Sequence, residues 1–162
     1  MAQTATDYRK QIQFVVLAFA FTLVTLILSA CGGQNSTVST STGSDLDAQT
    51  QIVPVEGGSY TDVSVDGLAA MLENKDFPLI NVHTPYEGEI EGTDEFIPFN
   101  EIEQNLDKLP AGKDAQIVLY CRSGSMSAQA AQALVELGYT DVWNVDGGMI
   151  AWRNSGRPLQ NN

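Results

Sequence analysis

Between Leu119 and Tyr139 the chain reads LYCRSGSMSAQAAQALVELGY, an apolar run of strand type that passes through one cysteine into an alanine-rich run of helical type. A strand that turns directly into a helix must lay that helix back across its own sheet, and a further apolar run at 141–145 (DVWNV) supplies a strand to lie parallel to the first. The same alternation recurs upstream. In YTDVSVDGLAAMLENKDF a short extended piece leads to a helix that starts after Ser64 as N-cap, with Leu68, Met71 and Leu72 at helical spacing. PLINV at 78–82 and AQIVLYC at 115–121 are runs of buried-strand type. FNEIEQNLDKL offers Asn100 as an N-cap with Glu103 three residues on, the pattern of a capping box. The helix after Cys121 is expected over Ser127 to Leu137, with Ala130, Leu134 and Leu137 along one side and Gly138 in its C-terminal turn. Gly147-Gly148 turns the chain, and MIAWRNS gives a short helix that stops near Gly156 and Pro158. The expected fold class is α/β: one domain with a small, mainly parallel sheet flanked by helices on both faces.

The N-terminal segment is of another kind. Arg9 and Lys10 precede an apolar run of about 17 residues, Phe14 to Ala30, a length between a signal-peptide core and a short membrane span. It ends in Leu28-Ser29-Ala30-Cys31, which resembles the lipobox of bacterial lipoproteins and implies cleavage before Cys31 and acylation of that cysteine. Residues 1–30 are then a lipoprotein-type signal peptide. Residues 31–51 are the lipidated cysteine and a Ser/Thr/Gly-rich tether, and such a coil spans roughly 25 Å. The folded domain occupies 52–160. The expected location is the extracytoplasmic side of the cell membrane, held by the N-terminal lipid. An uncleaved anchor would leave the domain on the same side.

The net charge of −12, with a pI near 4.2, sets a repulsive field against nucleic acid and anionic surfaces, so no nucleic-acid partner is expected. Two cysteines, Cys31 and Cys121, are too few for a disulfide framework, and one histidine, His83, makes no metal site by itself. No metal and no cofactor are expected. Ligands of parallel sheets bind beyond the carboxyl ends of the strands, where Cys121 falls. In the stretch Arg122, Ser123, Gly124, Ser125 and Met126, a glycine that tolerates unusual φ and small serines can turn several N–H groups inward. The following helix adds positive potential at its amino end, and both effects suit a nucleophilic thiolate.

These residues carry a resemblance. YCRSGSMSAQAAQALVELGYTDVWNVDGGMIAW resembles the active-site half of the rhodanese domain, with its strand-end Cys-Arg-Ser-Gly loop, helix, LxxxGY turn, strand and Gly-Gly-x-x-x-Trp. Tyr60 to Pro98 follows the upstream half more loosely. The resemblance implies a sulfurtransferase in which Cys121 takes sulfane sulfur from thiosulfate or another donor, becomes a persulfide, and passes the sulfur to a thiol or another nucleophilic acceptor. Arg122 to Met126 would line the anion-binding loop. Departures are visible too. Met126 stands where the family often has a second basic residue, and Asn81-Val82-His83 replaces an Asp-x-Arg, exchanging an ion pair for a neutral hydrogen bond. The segment from Glu87 to Glu95 is strongly acidic and, folded beside the loop, would oppose anionic donors. His83 is expected to be a structural hydrogen-bonding residue, and Trp143 and Trp152 packing residues. Two other functions compete: a binding or sulfur-relay module of the same fold without turnover, and a phosphatase. The phosphatase is disfavoured because its C-x₅-R loop needs arginine where Ser127 stands.

Overall fold

The computed structural model describes residues 49–161. Six strands form one sheet in the order β1-β2-β6-β5-β3-β4. They are β1 (Thr50–Val55), β2 (Gly58–Val63), β3 (Leu79–Asn81), β4 (Glu95–Phe96), β5 (Ile117–Tyr120) and β6 (Val142–Val145). The β1–β2 pair is an antiparallel hairpin, and every other pairing is parallel. Three helices cover the sheet: α1 (Val65–Leu72), α2 (Ser125–Glu136) and α3 (Gly148–Asn154). Among the described residues no helix is long and apolar enough to cross a membrane. The apolar run and Cys31 lie outside the described residues.

Alternation along β5 divides the core in two. Ile117 and Leu119, with Cys121 just beyond the strand, pack on one face with Ala130, Ala131, Leu134 and Val135 of α2. Val118 and Tyr120 point to the other face, against Leu68 of α1 and Met149 and Trp152 of α3. All four residues of β5 are buried, which is what an apolar run with helices on both sides requires.

Local signals explain most of the element ends. Ser64 caps α1, its Oγ accepting from the Gly67 N–H at 3.1 Å. Gly138, at φ +89°, closes α2: its N–H donates to Val135 O at 2.9 Å and the Tyr139 N–H to Leu134 O at 3.0 Å, the paired bonds of a Schellman turn. Trp152 is buried and donates from Nε1 to Pro158 O at 3.0 Å.

Four expectations need correction. Ordered strand begins at Thr50, within the stretch assigned to the tether, because residues 50–55 pair with β2 along their whole length. The segment after Pro98 is a pair of 3-10 turns, Phe99–Gln104 and Leu106–Lys108, with no side-chain cap from Asn100, which sits inside the first turn. Helix α2 starts two residues before Ser127, since helical geometry resumes directly after Gly124. Leu137 is the C-cap of α2 and leaves the buried stripe with 39% of its surface exposed; Ala131 and Val135 join Ala130 and Leu134 there instead.

Candidate functional site

Cys121 follows the last residue of β5 and is 1% exposed. The chain then reverses through Gly124, whose φ of +90° brings its N–H back onto the cysteine Sγ at 3.2 Å. The Gly124 carbonyl is held from the other side by the Ala128 N–H at 2.9 Å and by Ser127 Oγ, which donates at 3.1 Å. Because Ala128 makes the first intrahelical bond of α2, the N–H groups of Ser125, Met126 and Ser127 have no partner within the helix. The sulfur therefore lies at the amino end of a twelve-residue helix, under one directed N–H.

The second support comes from α3. Two N–H groups of its first turn, those of Met149 and Ile150, donate to the carbonyls of Cys121 and Arg122, both at 2.9 Å. That approach requires glycine at 148: a Cβ there would stand 2.2 Å from Cys121 O and 2.9 Å from the carbonyl carbon of Arg122. The cysteine loop is thus gripped by main chain on both sides.

Of the residues assigned to the loop, Arg122, Ser123 and Ser125 are exposed and Gly124 is buried. Ser125 and Met126 belong to the first turn of α2, and Met126 packs its side chain against the core cluster that contains Cys121. Met126 can offer the site its main-chain N–H; its thioether serves packing.

The opposite wall is the connection from β3 to β4. Those strands are parallel, so the chain must run from the carboxyl edge of the sheet back to the amino edge, and this route disperses the carboxylates expected to form a rim. Glu87 stays at the cysteine loop, its Oε2 3.6 Å from Arg122 Nε and 3.4 Å from His83 Nε2. Glu89 bridges the C-terminal tail, exchanging main-chain bonds of 2.9 and 2.8 Å with Gln160. Asp94 lies at the far edge, pairing with Lys75 Nζ at 2.6 Å and accepting from the Leu79 N–H at 2.8 Å. Of these three carboxylates, Glu87 alone pairs with a residue of the cysteine loop.

Asn81 organises this wall. It is fully buried, donates from Nδ2 to Gly88 O at 3.0 Å and accepts the His83 main-chain N–H on Oδ1 at 3.0 Å. The neutral hydrogen bond expected at Asn81-Val82-His83 exists, but it ends on the backbone of His83. The imidazole itself is 7% exposed, neither ring nitrogen makes a hydrogen bond, and its ion-pair contact is Glu87. Tyr120 anchors the middle of the connection. Its hydroxyl accepts from the Ile90 N–H at 3.0 Å and lies 2.7 Å from Thr93 Oγ1, which itself donates to Ile90 O. Burial pushes the Tyr120 phenol up to about 12 against the lowering effect of these hydrogen bonds.

Sequence reasoning missed Glu87 as an individual, Ser127 as a brace of the loop, and Gly148 as the contact surface for Cys121. The adjacent glycines 147 and 148 were the legible signal for the last. Among the described residues no group of three His, Cys, Asp or Glu side chains could hold a metal ion. A cleft of about 550 Å³ near α1 and α3, lined in part by Leu72, Lys75, Trp152 and Pro158, has no Cys, Ser, Thr or His in its wall.

Residues 64–155 match the model of the Rhodanese-like domain. The chain is 36% identical over 92 residues to a sulfurtransferase of Allochromatium vinosum, an alignment that covers 55% of this chain and 83% of that one. It is 32% identical over 102 residues to the thiosulfate sulfurtransferase GlpE of Shewanella oneidensis, covering 60% and 96%. Among solved structures, a rhodanese-like domain from Anabaena superposes with a TM-score of 0.55 at 23% identity, covering 62% of this chain and 79% of that one.

Proposed function

Since the chain belongs to the rhodanese-like domain family, we propose that it is a sulfurtransferase that carries sulfane sulfur on Cys121. The observation that carries this reading is the Gly124 N–H directed at Cys121 Sγ from the amino end of α2. In the first half-reaction the Cys121 thiolate attacks the outer sulfur of a donor. A new S–S bond forms, the donor's S–S bond breaks, and its electron pair leaves with the donor remnant, which is sulfite when the donor is thiosulfate. In the second, an acceptor thiolate attacks the outer sulfur of the persulfide and Cys121 leaves again as thiolate. Proton and electron counts balance without a cofactor. Burial of Cys121 gives the persulfide a further purpose: it carries the reactive sulfur about 2 Å outward, the length of one S–S bond, towards exposed Arg122, Ser123 and Ser125. Arg122 supplies a permanent charge for an anionic donor.

Replacing Cys121 by Ser should reduce sulfur transfer to background while the domain stays folded, because the swap conserves size and removes the nucleophile. Transfer retained by the folded variant would end this reading. The binding-module alternative, which the near-complete burial of the thiol favours, would show instead as no persulfide on Cys121 of the wild-type protein after exposure to a sulfane donor. Ser127 donates its hydroxyl inward to Gly124 O, an arrangement that offers no guanidinium for phosphate chemistry.

The finer part of the proposal is location. The lipobox-like Leu28-Ser29-Ala30-Cys31 supports a mature protein that begins at an acylated Cys31 and holds the domain on the extracytoplasmic side of the membrane. Two or three acyl chains, at about 0.8 kcal/mol per buried methylene, would make that anchoring stable. Intact mass of detergent-extracted protein should show loss of residues 1–30 and added acyl mass; retention of Met1 would refute it.

A further inference from the structure

Glu87 is the one residue of the β3–β4 connection whose carboxylate reaches the cysteine loop, and a single oxygen, Oε2, faces two basic groups at once. Arg122 Nε is 3.6 Å away on an exposed side chain, and His83 Nε2 is 3.4 Å away on a buried ring with no hydrogen bond of its own. Neither contact is a tight hydrogen bond. Glu87 is 43% exposed and Arg122 58%, so their attraction is that of a weak, solvent-screened surface pair, open to competition.

From this geometry, and resting on the sulfurtransferase reading, we infer that Glu87 sets donor selectivity: it is an internal anion that an incoming anionic donor must displace from Arg122, while His83 keeps the displaced carboxylate at the wall. The argument is one of competition for a single cation. Arg122 is the only basic side chain in the stretch from Cys121 to Ser127, since Met126 adds none. A dianion such as thiosulfate has to take that guanidinium from Glu87 and then remain near the carboxylate it displaced. An alkyl persulfide, at most a monoanion, competes for that guanidinium far less. Glu87 therefore lowers the preference for highly charged donors and leaves the route to the sulfur open for donors of low charge. It acts through Arg122 and is a positioning residue.

The test uses Glu87→Gln, which keeps the shape and removes the charge. Relative to wild type, the ratio of kcat/KM for thiosulfate to that for an alkyl persulfide, which carries at most one charge, should rise about two- to fivefold, mainly through a lower thiosulfate KM, in line with a surface pair. The change should vanish when Arg122 is Ala, a coupling that a merely structural role would not produce. Thiosulfate binding to the Cys121→Ser protein, followed by calorimetry, should tighten by a similar factor on adding Glu87→Gln. An unchanged or lowered donor ratio, an effect that persists without Arg122, or thiosulfate binding that is absent or no tighter would each overturn the assignment. Failure of the sulfurtransferase reading would appear separately, as no persulfide on Cys121 with either donor, and the calorimetry would still decide the role of Glu87.

Discussion

The two segments that meet at Cys121 are built on opposite principles. The loop from Cys121 to Gly124 is short and held by main chain: the Gly124 N–H on the sulfur, and the Met149 and Ile150 N–H groups on the carbonyls of Cys121 and Arg122. The connection from β3 to β4 is long and adds side-chain ties to its main-chain bonds, with Asn81 tying Gly88 and His83, Tyr120 tying Ile90 and Thr93, and Asp94 tying Leu79. A main-chain junction specifies geometry without specifying side chains, except where a Cβ would collide. A side-chain scaffold can be retuned one residue at a time. The loop thus fixes the position of the sulfur, and on the proposed reading the opposite wall is where donor preference is adjusted.

The strongest way to break this contrast is Gly148→Ala. Its Cβ would meet Cys121 O at 2.2 Å at a position where φ is +51°, so the loop or α3 must move. We expect a stability loss on the order of 2–5 kcal/mol from overpacking and left-handed backbone, and about 100-fold lower transfer in the protein that remains folded. Chemical denaturation and single-turnover persulfide formation measure the two; activity within threefold of wild type would mean that the junction does not position Cys121.

Tyr120→Phe sharpens the other side of the comparison with a smaller effect. It leaves the Ile90 N–H buried without its acceptor and should lower stability by about 1–3 kcal/mol, while transfer falls much less than in Gly148→Ala. The same residue predicts an alkaline limb. The folded phenol titrates at about 12, above the ordinary value of 10, so the stability tied to its protonated form is intact below pH 10 and is lost as pH rises through 12. Denaturation curves taken between pH 9 and 12 should fall less steeply for Tyr120→Phe than for wild type. Parallel curves would show that Tyr120 does not carry the limb.

How far the sequence led follows the same division. The βα unit around Cys121 was legible because glycine, strand run and alanine-rich helix are local signals, and Ser64 and Gly138 marked helix ends for local reasons. Strand β1 was hidden by Pro54 and by Ile52, which is 71% exposed; it lies at the sheet edge, where proline is tolerated and no apolar alternation is needed. The 3-10 turns after Pro98 mimicked a capping box. Glu87 could not be distinguished from Glu89, Glu91, Asp94 and Glu95 along the chain, because only the return path to β4 decides which carboxylate stays beside Arg122.

The grip of α3 on the cysteine loop also bears on entropy and timing. Fixing the backbone of one residue costs roughly 1–2 kcal/mol, and a catalytic loop that orders only around its substrate subtracts that from the binding free energy at every turnover. Here the carbonyls of Cys121 and Arg122 are already hydrogen-bonded to Met149 and Ile150, so the ordering is completed once, during folding. A donor meets a loop whose main chain at Cys121 and Arg122 is already tied down.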